Sequence, residues 1–397
     1  MKKCLVGPET IRMLELGHPW VIADRYTKQW PQGKAGELVS LIDGQNRHLA
    51  TALLDPADRI VARVLDPKRI ALDRNCLELR LRQAQAVRER ALLEETDAYR
   101  IVNSEGDDLP GITLDRYGDF LMLQLYSQAW EPHLEVLKQA IQTVFKPRGI
   151  YRKLRLQETR ALEAKSSTKE YSRLIAGEAA PVPLKVRENG LTYLVDLREG
   201  LNTGLFPDQR RNRLEIMGRV KGLRVLNLFA FTGAFSVAAA AAGARQVTSV
   251  DVSEKYLAVA RENFAENRLN PARHEFIVAD AFAELNRMRA DDRQFDMIIF
   301  DPPSFSTTKK SRFSTQGGTA KLTAAVLPLL AEGGLLVSSS NHQKVSFDDY
   351  FKELRKGALQ VGAQLKTIFI AGQAEDFPSP VSFPEGRYLK FVINVKQ

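Results

Sequence analysis

The chain has 397 residues, of which 44% are hydrophobic and 26% are charged, the composition of an ordinary soluble protein with two or three domains. Its apolar runs are far shorter than the ~20 residues that cross a membrane, and no signal-peptide core is evident, so we expect a cytoplasmic protein. Only Cys4 and Cys76 occur, without metal-ligand spacing, which excludes a disulfide framework and a zinc site; both cysteines are expected to be structural, and no metal is expected. The net charge of +9 favours a polyanionic partner.

The first part of the chain, residues 1–70, is predicted to contain short strands separated by turns, as in a small β-barrel or sandwich. The strand candidates are residues 20–22, 37–42, 49–54 and 60–65. A charged helix is predicted from about residue 71 to residue 95, because Arg and Leu recur there at helical spacing. Its basic side chains either face RNA or form a solvated helix face. They are Arg80, Arg82, Arg88 and Arg90.

The middle section, residues 96–195, is predicted to be a small α+β unit. Residues 99–104 and 111–125 have strand patterns, the second with a turn at Gly118, and residues 132–145 have the pattern of an amphipathic helix. Residues 151–173 are rich in Lys and Arg and contain few apolar positions. We expect a flexible connection there, or a loop that RNA orders.

From about residue 196 onward, strand and helix patterns alternate. The strand candidates are residues 225–228, 246–250, 275–278, 297–300 and 334–338, and the helix candidates are residues 235–242, 255–267, 281–290 and 320–331. Such alternation predicts a parallel, doubly wound, Rossmann-like α/β sheet whose ligand lies beyond the carboxyl ends of the strands.

The turn after the first of these strands, residues 227–235 (Asn-Leu-Phe-Ala-Phe-Thr-Gly-Ala-Phe), is the most informative segment. A glycine between strand and helix lets a ligand approach the backbone, and an acid that ends the next strand, here Asp251, can bind ribose hydroxyls. A dinucleotide pyrophosphate needs three close glycines, and this turn contains only Gly233. The pattern therefore favours a ligand with a ribose and no phosphates, such as S-adenosyl-L-methionine (SAM).

Motifs along nearly the whole chain resemble the bacterial 23S rRNA large-subunit methyltransferase I family. They are residues 17–21 and 60–64 in the first part, 107–116 in the middle, and 203–213, 229–233, 301–303 and 384–390 in the last part. The resemblance implies three domains: a PUA-like RNA-binding domain (1–70), a basic helix with a central α+β domain (71–195), and a class I SAM-dependent methyltransferase domain (196–397). It implies SAM as the cofactor and RNA, expected to be large-subunit rRNA, as the partner; DNA and membranes are not expected, and homodimer formation is left open.

In related folds a carboxylate or amide followed by Pro-Pro and an aromatic residue holds a flipped base, and here the segment after the fourth strand contains Asp301, Pro302, Pro303 and Phe305. The prolines fix the backbone and leave carbonyls without competing local N–H groups. The exocyclic amine of a flipped base would donate hydrogen bonds to the Asp301 side chain and to a backbone carbonyl, and the Phe305 ring would stack on the base. The alternative is a plain strand-to-loop turn.

The resemblance also implies a cofactor-binding group. Asp251 would accept hydrogen bonds from the ribose, Asp280 would bind the adenine amino group, and residues 229–233 would pass under the methionine moiety; for either acid the alternative is a helix N-cap. Arg210 either pairs with the cofactor's carboxylate or an RNA phosphate, or forms an ordinary surface salt bridge. The whole predicted group is Asn227, Phe229, Thr232, Gly233, Asp251, Asp280, Gln209 and Arg210.

The chain departs from the family after the fifth strand. Family members carry a cysteine in a Ser-Cys-Ser run, since carbon 5 of cytosine normally reacts only after a thiolate adds to carbon 6. Aligned from residues 333–334, this chain has Asn341 in that position. The preceding serines, 338–340, are poor nucleophiles unless activated, and His342 either activates one of them or packs or caps locally.

A base nitrogen carries a lone pair or gains one on proton loss, so its methylation needs only approach geometry, desolvation and a proton acceptor. We therefore predict a SAM-dependent RNA base methyltransferase acting on large-subunit rRNA, with N-methylation slightly favoured over methylation of cytosine carbon 5. Two alternatives stay open. One is a catalytically silent RNA-binding or ribosome-assembly protein, which the intact Asp251 and Asp301 disfavour; the other is methylation of a protein or small molecule, which the net charge disfavours.

Overall fold

The computed structural model describes residues 1–91, 95–154, 171–200, 202–303, 305–307 and 312–397, and no side chain is described for residues 305–307 and 312–317. The described residues form two compact units. Unit 1 consists of Met1–Leu184, Asp196–Thr203 and Glu375–Gly386, and unit 2 of Lys185–Val195, Gly204–Ala374 and Arg387–Gln397. The division into three consecutive domains stays a prediction.

The N-terminal part of unit 1 is a β-sheet with one short helix. Its elements are β1 (Lys2–Leu5), α1 (Pro8–Glu15), β2 (Trp20–Ile22), β3 (Leu38–Ile42), β4 (His48–Leu54) and β5 (Ile60–Asp66). Within the described residues, the five strands lie in the order β1-β3-β4-β5-β2, and only β1 and β3 pair in parallel. Val39, Ser40 and Leu41 are all fully buried, so both faces of β3 are covered, since successive residues of a strand point to opposite faces. The sequence predicted β2 to β5 and missed β1 and α1.

The central part of unit 1 is the predicted α+β fold. Its elements are α2 (Arg74–Glu89), β6 (Ala98–Asn103), β7 (Ile112–Tyr117), β8 (Phe120–Leu125), α3 (Leu134–Phe145), β9 (Gly149–Lys153) and β10 (Ser172–Gly177). The described strands lie in the order β10-β9-β8-β7-β6, and α3 connects the parallel pair β8 and β9. The prediction of a flexible connection over residues 151–173 was wrong at both ends, which lie in β9 and β10; residues 155–170 are outside the described part of the chain.

Two of the four arginines predicted to form a basic face of α2 lie inside the protein. Arg80 and Arg88 are 6% and 2% exposed, so neither forms a solvated face nor reaches RNA. Arg80 donates to the carbonyls of Asp108 and Leu65, and Arg88 forms a buried ion pair with Asp107. Burying an unpaired guanidinium group costs too much desolvation free energy, so Arg80 and Arg88 can be buried only because these partners, distant in the sequence, bind them. Arg82 and Arg90 are exposed as expected.

Unit 2 contains the predicted doubly wound sheet. Its elements are β11 (Leu184–Glu188), β12 (Leu191–Val195), α4 (Arg210–Met217), β13 (Arg224–Leu228), α5 (Ala234–Ala241), β14 (Gln246–Asp251), α6 (Glu254–Glu266), β15 (Glu275–Val278), α7 (Ala281–Ala290), β16 (Phe295–Phe300), β17 (Phe305–Thr307), β18 (Arg312–Ser314), α8 (Thr315–Val326), β19 (Leu330–Ser340), α9 (Phe347–Gln360), β20 (Leu365–Ala371) and β21 (Lys390–Lys396). Among the described strands, seven form a sheet in the order β15-β14-β13-β16-β19-β21-β20. The pairs from β15 to β19 are parallel, whereas β21 pairs antiparallel with both β19 and β20. None of the described helices is long and apolar enough to cross a membrane.

Sequence patterns located most of these elements and misjudged two boundaries. The helix predicted at residues 320–331 ends earlier, at Val326, and β19 begins at Leu330 and not at Gly334. Pro328, which cannot donate a helical hydrogen bond, lies in the connection between them. The elements β11, β12, α4, β17, β18, α9, β20 and β21 were not predicted.

The order of strands fixes the location of a ligand site. The chain passes from β13 outward through β14 to β15, then returns to β16 on the other side of β13 and continues to β19. Leu228 and Phe300, the last residues of β13 and β16, are directly paired. A crevice beyond the carboxyl ends of such neighbouring strands is the usual ligand site of an open α/β sheet. Residues 229–233 and residues 301–303 both begin at this edge.

Candidate active site

The turn after β13 has an unusual backbone. Phe229 and Phe231 have φ values of 56° and 52°, in the left-handed region that residues with a side chain rarely adopt. Asp251, at the end of β14, holds this turn, because its Oδ2 accepts a hydrogen bond of 2.9 Å from the backbone N–H of Phe231. Strained backbone of this kind is retained mainly at functional sites.

Asp251 is suited to a ribose as well. Its Oδ1 accepts from the N–H of Ser253 at 2.9 Å, and a carboxylate has about four acceptor positions, so two bonds leave capacity for hydroxyl donors. The alternative of a helix N-cap does not hold for Asp251, since Ser253 caps α6 by accepting from Tyr256. It does describe Asp280, whose Oδ1 accepts from the N–H groups of Phe282 and Ala283 at 3.1 Å each. The adenine contact of Asp280 stays a prediction.

Gly233 has a structural reason in addition to the predicted one. Its φ is 76°, and a Cβ atom built on it would lie 2.8 Å from the Cβ of Ala260 in α6. The absence of a side chain therefore allows the turn to pack against α6, in addition to allowing a ligand to approach the backbone. Asn263, also in α6 and fully buried, braces the same turn by donating to the carbonyl of Thr232 at 2.9 Å. Sequence reasoning missed Asn263.

Two further residues of the predicted cofactor group have buried side chains that support the turn from inside. Asn227 in β13 donates to Ser236 Oγ of α5 at 2.9 Å, and Thr232 Oγ1 donates to the carbonyl of Gly204 at 2.5 Å. Both are only 3% exposed. These contacts fix the strand, the turn and the following helix as one piece, which preorganises the surface that a cofactor would contact.

The end of β16 meets residues from two other segments. Gln209 Nε2 donates to Asp301 Oδ2 at 2.9 Å and to Ser339 Oγ at 2.8 Å, and Gln209 Oε1 accepts from Asn212 at 2.6 Å. Gln209, predicted with the cofactor group, thus hydrogen-bonds the predicted catalytic carboxylate. Pro302, which follows Asp301, is buried.

The remaining residues of the catalytic motif are only partly described. Pro303 is exposed next to the buried Pro302. Phe305 is the first residue of β17, but its side chain lies outside the described part of the chain, so its stacking role stays a prediction.

The surroundings of Asp301 make its carboxyl a weaker acid than usual. Burial, and next the negative charge of Asp208, raise its pKa from 3.8 to about 6, against the opposing hydrogen bonds from Ser339 and Gln209. Asp208 is itself held by Tyr388, whose hydroxyl donates to Asp208 Oδ2 at 2.8 Å. A carboxylate with a pKa this close to neutrality can both take up and release a proton under physiological conditions.

The segment before β13 contains two buried arginines, of which Arg213 anchors it. Arg210 is 1% exposed, which excludes the alternative of a surface salt bridge. Arg213 is paired with the fully buried Glu188 through two contacts of 2.6 Å and also donates to the carbonyl of Phe206 at 2.8 Å. This ion pair was not predicted. It holds residues 206–213, and with them Gln209, against the hairpin of β11 and β12.

No thiol lies at the carboxyl end of β19. Asn341 is exposed directly after the buried residues Ser338–Ser340 of that strand. His342 Nδ1 accepts from the N–H of Lys344 at 3.2 Å, the local capping contact that was the alternative to activating a serine. Cys4 and Cys76 both belong to unit 1. Burial raises the pKa of Cys4 to about 11 and also raises that of Cys76, so neither is a thiolate near neutral pH.

The chain matches known proteins along most of its length. Residues 107–366 match the family model of S-adenosylmethionine-dependent methyltransferases, and residues 6–67 match that of a PUA-like domain. The chain is 35% identical over 376 residues to ribosomal RNA large subunit methyltransferase I of Escherichia coli O139:H28 (strain E24377A / ETEC), covering 94% of each chain. Identity and coverage are the same for the protein of that name from Shigella boydii serotype 18. The chain belongs to this methyltransferase family.

Solved structures agree with this assignment. The crystal structure of SMU.776 complexed with SAH has a TM-score of 0.90 and 30% identity, with 100% of both chains covered. A SAM-dependent methyltransferase from Streptococcus mutans has a TM-score of 0.86 with the same identity and coverage. The predicted family, the Rossmann-like fold with its PUA-like domain, the methyltransferase activity and the SAM cofactor are confirmed. The roles of individual site residues stay predictions.

Proposed function

We propose that this enzyme transfers the methyl group of SAM to a nitrogen of a base in large-subunit rRNA. The names of its relatives, the PUA-like domain and the net charge of +9 support rRNA as the substrate. The observation that carries the choice of nitrogen is Asn341 at the end of β19, because a carboxamide cannot add to carbon 6 of a pyrimidine as a thiolate does.

The proposed reaction requires no covalent bond between the protein and the base. SAM supplies an electrophilic methyl group, and the residues of the chain bind and orient the acceptor base and remove its proton. Asp301 accepts a hydrogen bond from an exocyclic amine or a ring N–H and takes the proton as the nitrogen is methylated. Its pKa of about 6 leaves most molecules ionised at pH 7, and therefore ready to accept.

Neighbouring residues keep this carboxylate in one orientation. The 2.9 Å bond from Gln209 occupies Asp301 Oδ2, and Pro302 restricts the backbone that follows. Asp251 and the turn at residues 229–233 would hold the ribose and the methionine moiety of the cofactor. Cys4 and Cys76, in unit 1 and with raised pKa values, have no part in this scheme.

The test is to identify the methylated nucleoside. Large-subunit rRNA is incubated with enzyme and labelled SAM, digested, and analysed by mass spectrometry, with 5-fluorocytidine-containing RNA as a trap for a covalent adduct. We expect an N-methylated nucleoside, no stable adduct, and full activity in the Cys4→Ser/Cys76→Ser double variant. Asp301→Ala should slow transfer roughly 100-fold or more, because it removes the proton acceptor.

Three results would contradict the proposal in different ways. A 5-methylcytidine product, or an adduct trapped on a serine or cysteine, would restore the carbon-5 chemistry that the resemblance implied. SAM binding without transfer to any rRNA or assembly intermediate would favour a silent RNA-binding protein. Transfer to a protein or small molecule alone would overturn the substrate class.

A further inference from the structure

Lys390 is a buried lysine next to the candidate active site that the proposed reaction has not used. It is the first residue of β21 and pairs with Ser340, the last residue of β19. The side chain is 2% exposed, and its Nζ donates to the carbonyls of His342 at 2.6 Å and of Tyr388 at 2.7 Å. Burial lowers its pKa from 10.5 to about 8.

An ammonium group in this position is costly for stability. Lys390 donates to two carbonyls, and within the described part of the chain it forms no ion pair with a carboxylate. Lys396, at the opposite end of β21, is also largely buried and donates to the carbonyl of Leu330, but it is paired with Glu332 at 2.9 Å. Since buried charges are usually paired, the lysine at the active-site end of the strand serves something other than stability alone.

The two carbonyls that Lys390 binds belong to segments that reach the active site. His342 directly follows Asn341, the exposed residue in the position of the family's cysteine. Tyr388 donates its hydroxyl to Asp208, whose charge raises the pKa of Asp301. Lys390 therefore ties the turn after β19 to the segment that holds Asp208.

We propose that Lys390 is a positioning residue that fixes the turn after β19, so that the amide of Asn341 is held where the target base binds. The inference rests on the proposed function. An Asn side chain offers both a donor and an acceptor, as the edge of an unstacked RNA base does, and such edges are read by hydrogen bonds once the base has left the stack. The ammonium of Lys390 does not touch the base; it acts through the turn.

The first experiment compares Lys390→Met with Lys396→Met in the full-length enzyme. Both replace a lysine of β21 that binds a carbonyl, buried in the case of Lys390 and largely buried in that of Lys396, at opposite ends of the same strand. We expect Lys390→Met to lower kcat roughly 10-fold or more, since a hydrogen bond to a charged group is lost, without lowering Tm and with the Kd for SAM unchanged within about twofold. Lys396→Met should keep kcat within about twofold of the wild type, because it lies away from the carboxyl edge.

The second experiment tests whether Lys390 acts through Asn341. Total methyl transfer to rRNA is measured for Lys390→Met, Asn341→Ala and the double variant. If Lys390 acts by holding Asn341, the double variant should be no slower than the slower single variant. If Lys390→Met does not fold, Lys390→Gln, which keeps a neutral N–H donor, replaces it in the comparison.

Several outcomes would overturn the inference. They are an unchanged kcat in Lys390→Met, a loss of SAM affinity or Tm that parallels the loss of rate, and single effects that multiply in the double variant. The assay measures total methyl transfer, whichever atom is methylated. A carbon-methylated product would therefore contradict the proposed function, but the rates of the variants could still be compared to test the role of Lys390.

Discussion

The raised pKa of Asp301 gives the enzyme a calculable pH dependence. If the ionised carboxylate accepts the proton, kcat/KM should rise about tenfold per pH unit below the pKa and level off about one unit above it. With a pKa of about 6 the plateau begins near pH 7, whereas an ordinary Asp, at 3.8, would give a flat profile over the same range. The shift of ~2 units corresponds to roughly 3 kcal/mol of unfavourable free energy for the ionised form.

Substitutions around Asp301 should move this midpoint in opposite directions. Asp208→Asn removes the negative charge that raises the pKa, so the midpoint should move to lower pH. Ser339→Ala removes a hydrogen bond that stabilises the carboxylate, so the midpoint should move to higher pH. Asp296→Asn is the matched control, because it lies on the same strand, β16, and is paired with Arg224 away from the carboxyl edge.

The assay is transfer of labelled methyl groups to rRNA at subsaturating substrate from pH 5 to pH 9. Equilibrium unfolding in urea gives an independent reading. A folded-state pKa above the unfolded value stabilises the protein below pH ~4, and this stabilisation is lost as the pH rises through about 6. Asp301→Asn should therefore be more stable than the wild type at pH 8 and not at pH 4. A midpoint that stays in place in both neighbouring variants would refute the assignment of Asp301 as the proton acceptor.

Two further predictions concern the turn after β13. Asp251→Ala should weaken SAM binding at least about tenfold in calorimetry, because the ribose acceptor and the bond to the Phe231 N–H are both lost, at roughly 1.5–3 kcal/mol per bond. RNA binding by this variant should persist. An unchanged Kd for SAM would remove Asp251 from the cofactor site. Gly233→Ala should lower Tm by more than Gly222→Ala does. Both positions have a similar positive φ, but only the Cβ at Gly233 would meet another atom, Ala260 Cβ at 2.8 Å. Equal losses of Tm would show that backbone strain alone accounts for the need for glycine at position 233.

The sequence by itself determined the five parallel strands of the sheet and the edge at which their carboxyl ends lie. Strands β13 and β16 are largely apolar, as strands buried on both faces must be, whereas β14 has only Val247 and Val250 as apolar residues. Turn residues follow β13, Asp301 follows β16, and β14 ends in Asp251. Parallel strands end at the same edge, so the sequence predicts that Asp251 and Asp301 lie at one edge of the sheet. The sequence alone also shows that Asn341 stands in place of the family's cysteine, because this concerns only the identity of one residue.

What only the tertiary structure decided is the partner of each polar side chain. Gln209 bonds to Asp301, and Arg88 to Asp107, although 92 and 19 positions of sequence separate them. Patterns of hydrophobicity do not indicate which acid neutralises which arginine. The sequence also does not distinguish a charged residue that is buried from one that is exposed, because burial depends on the neighbours that the fold places around it. The same holds for Lys390, whose role depends on a carbonyl 48 residues away that antiparallel pairing of β19 and β21 brings within 2.6 Å.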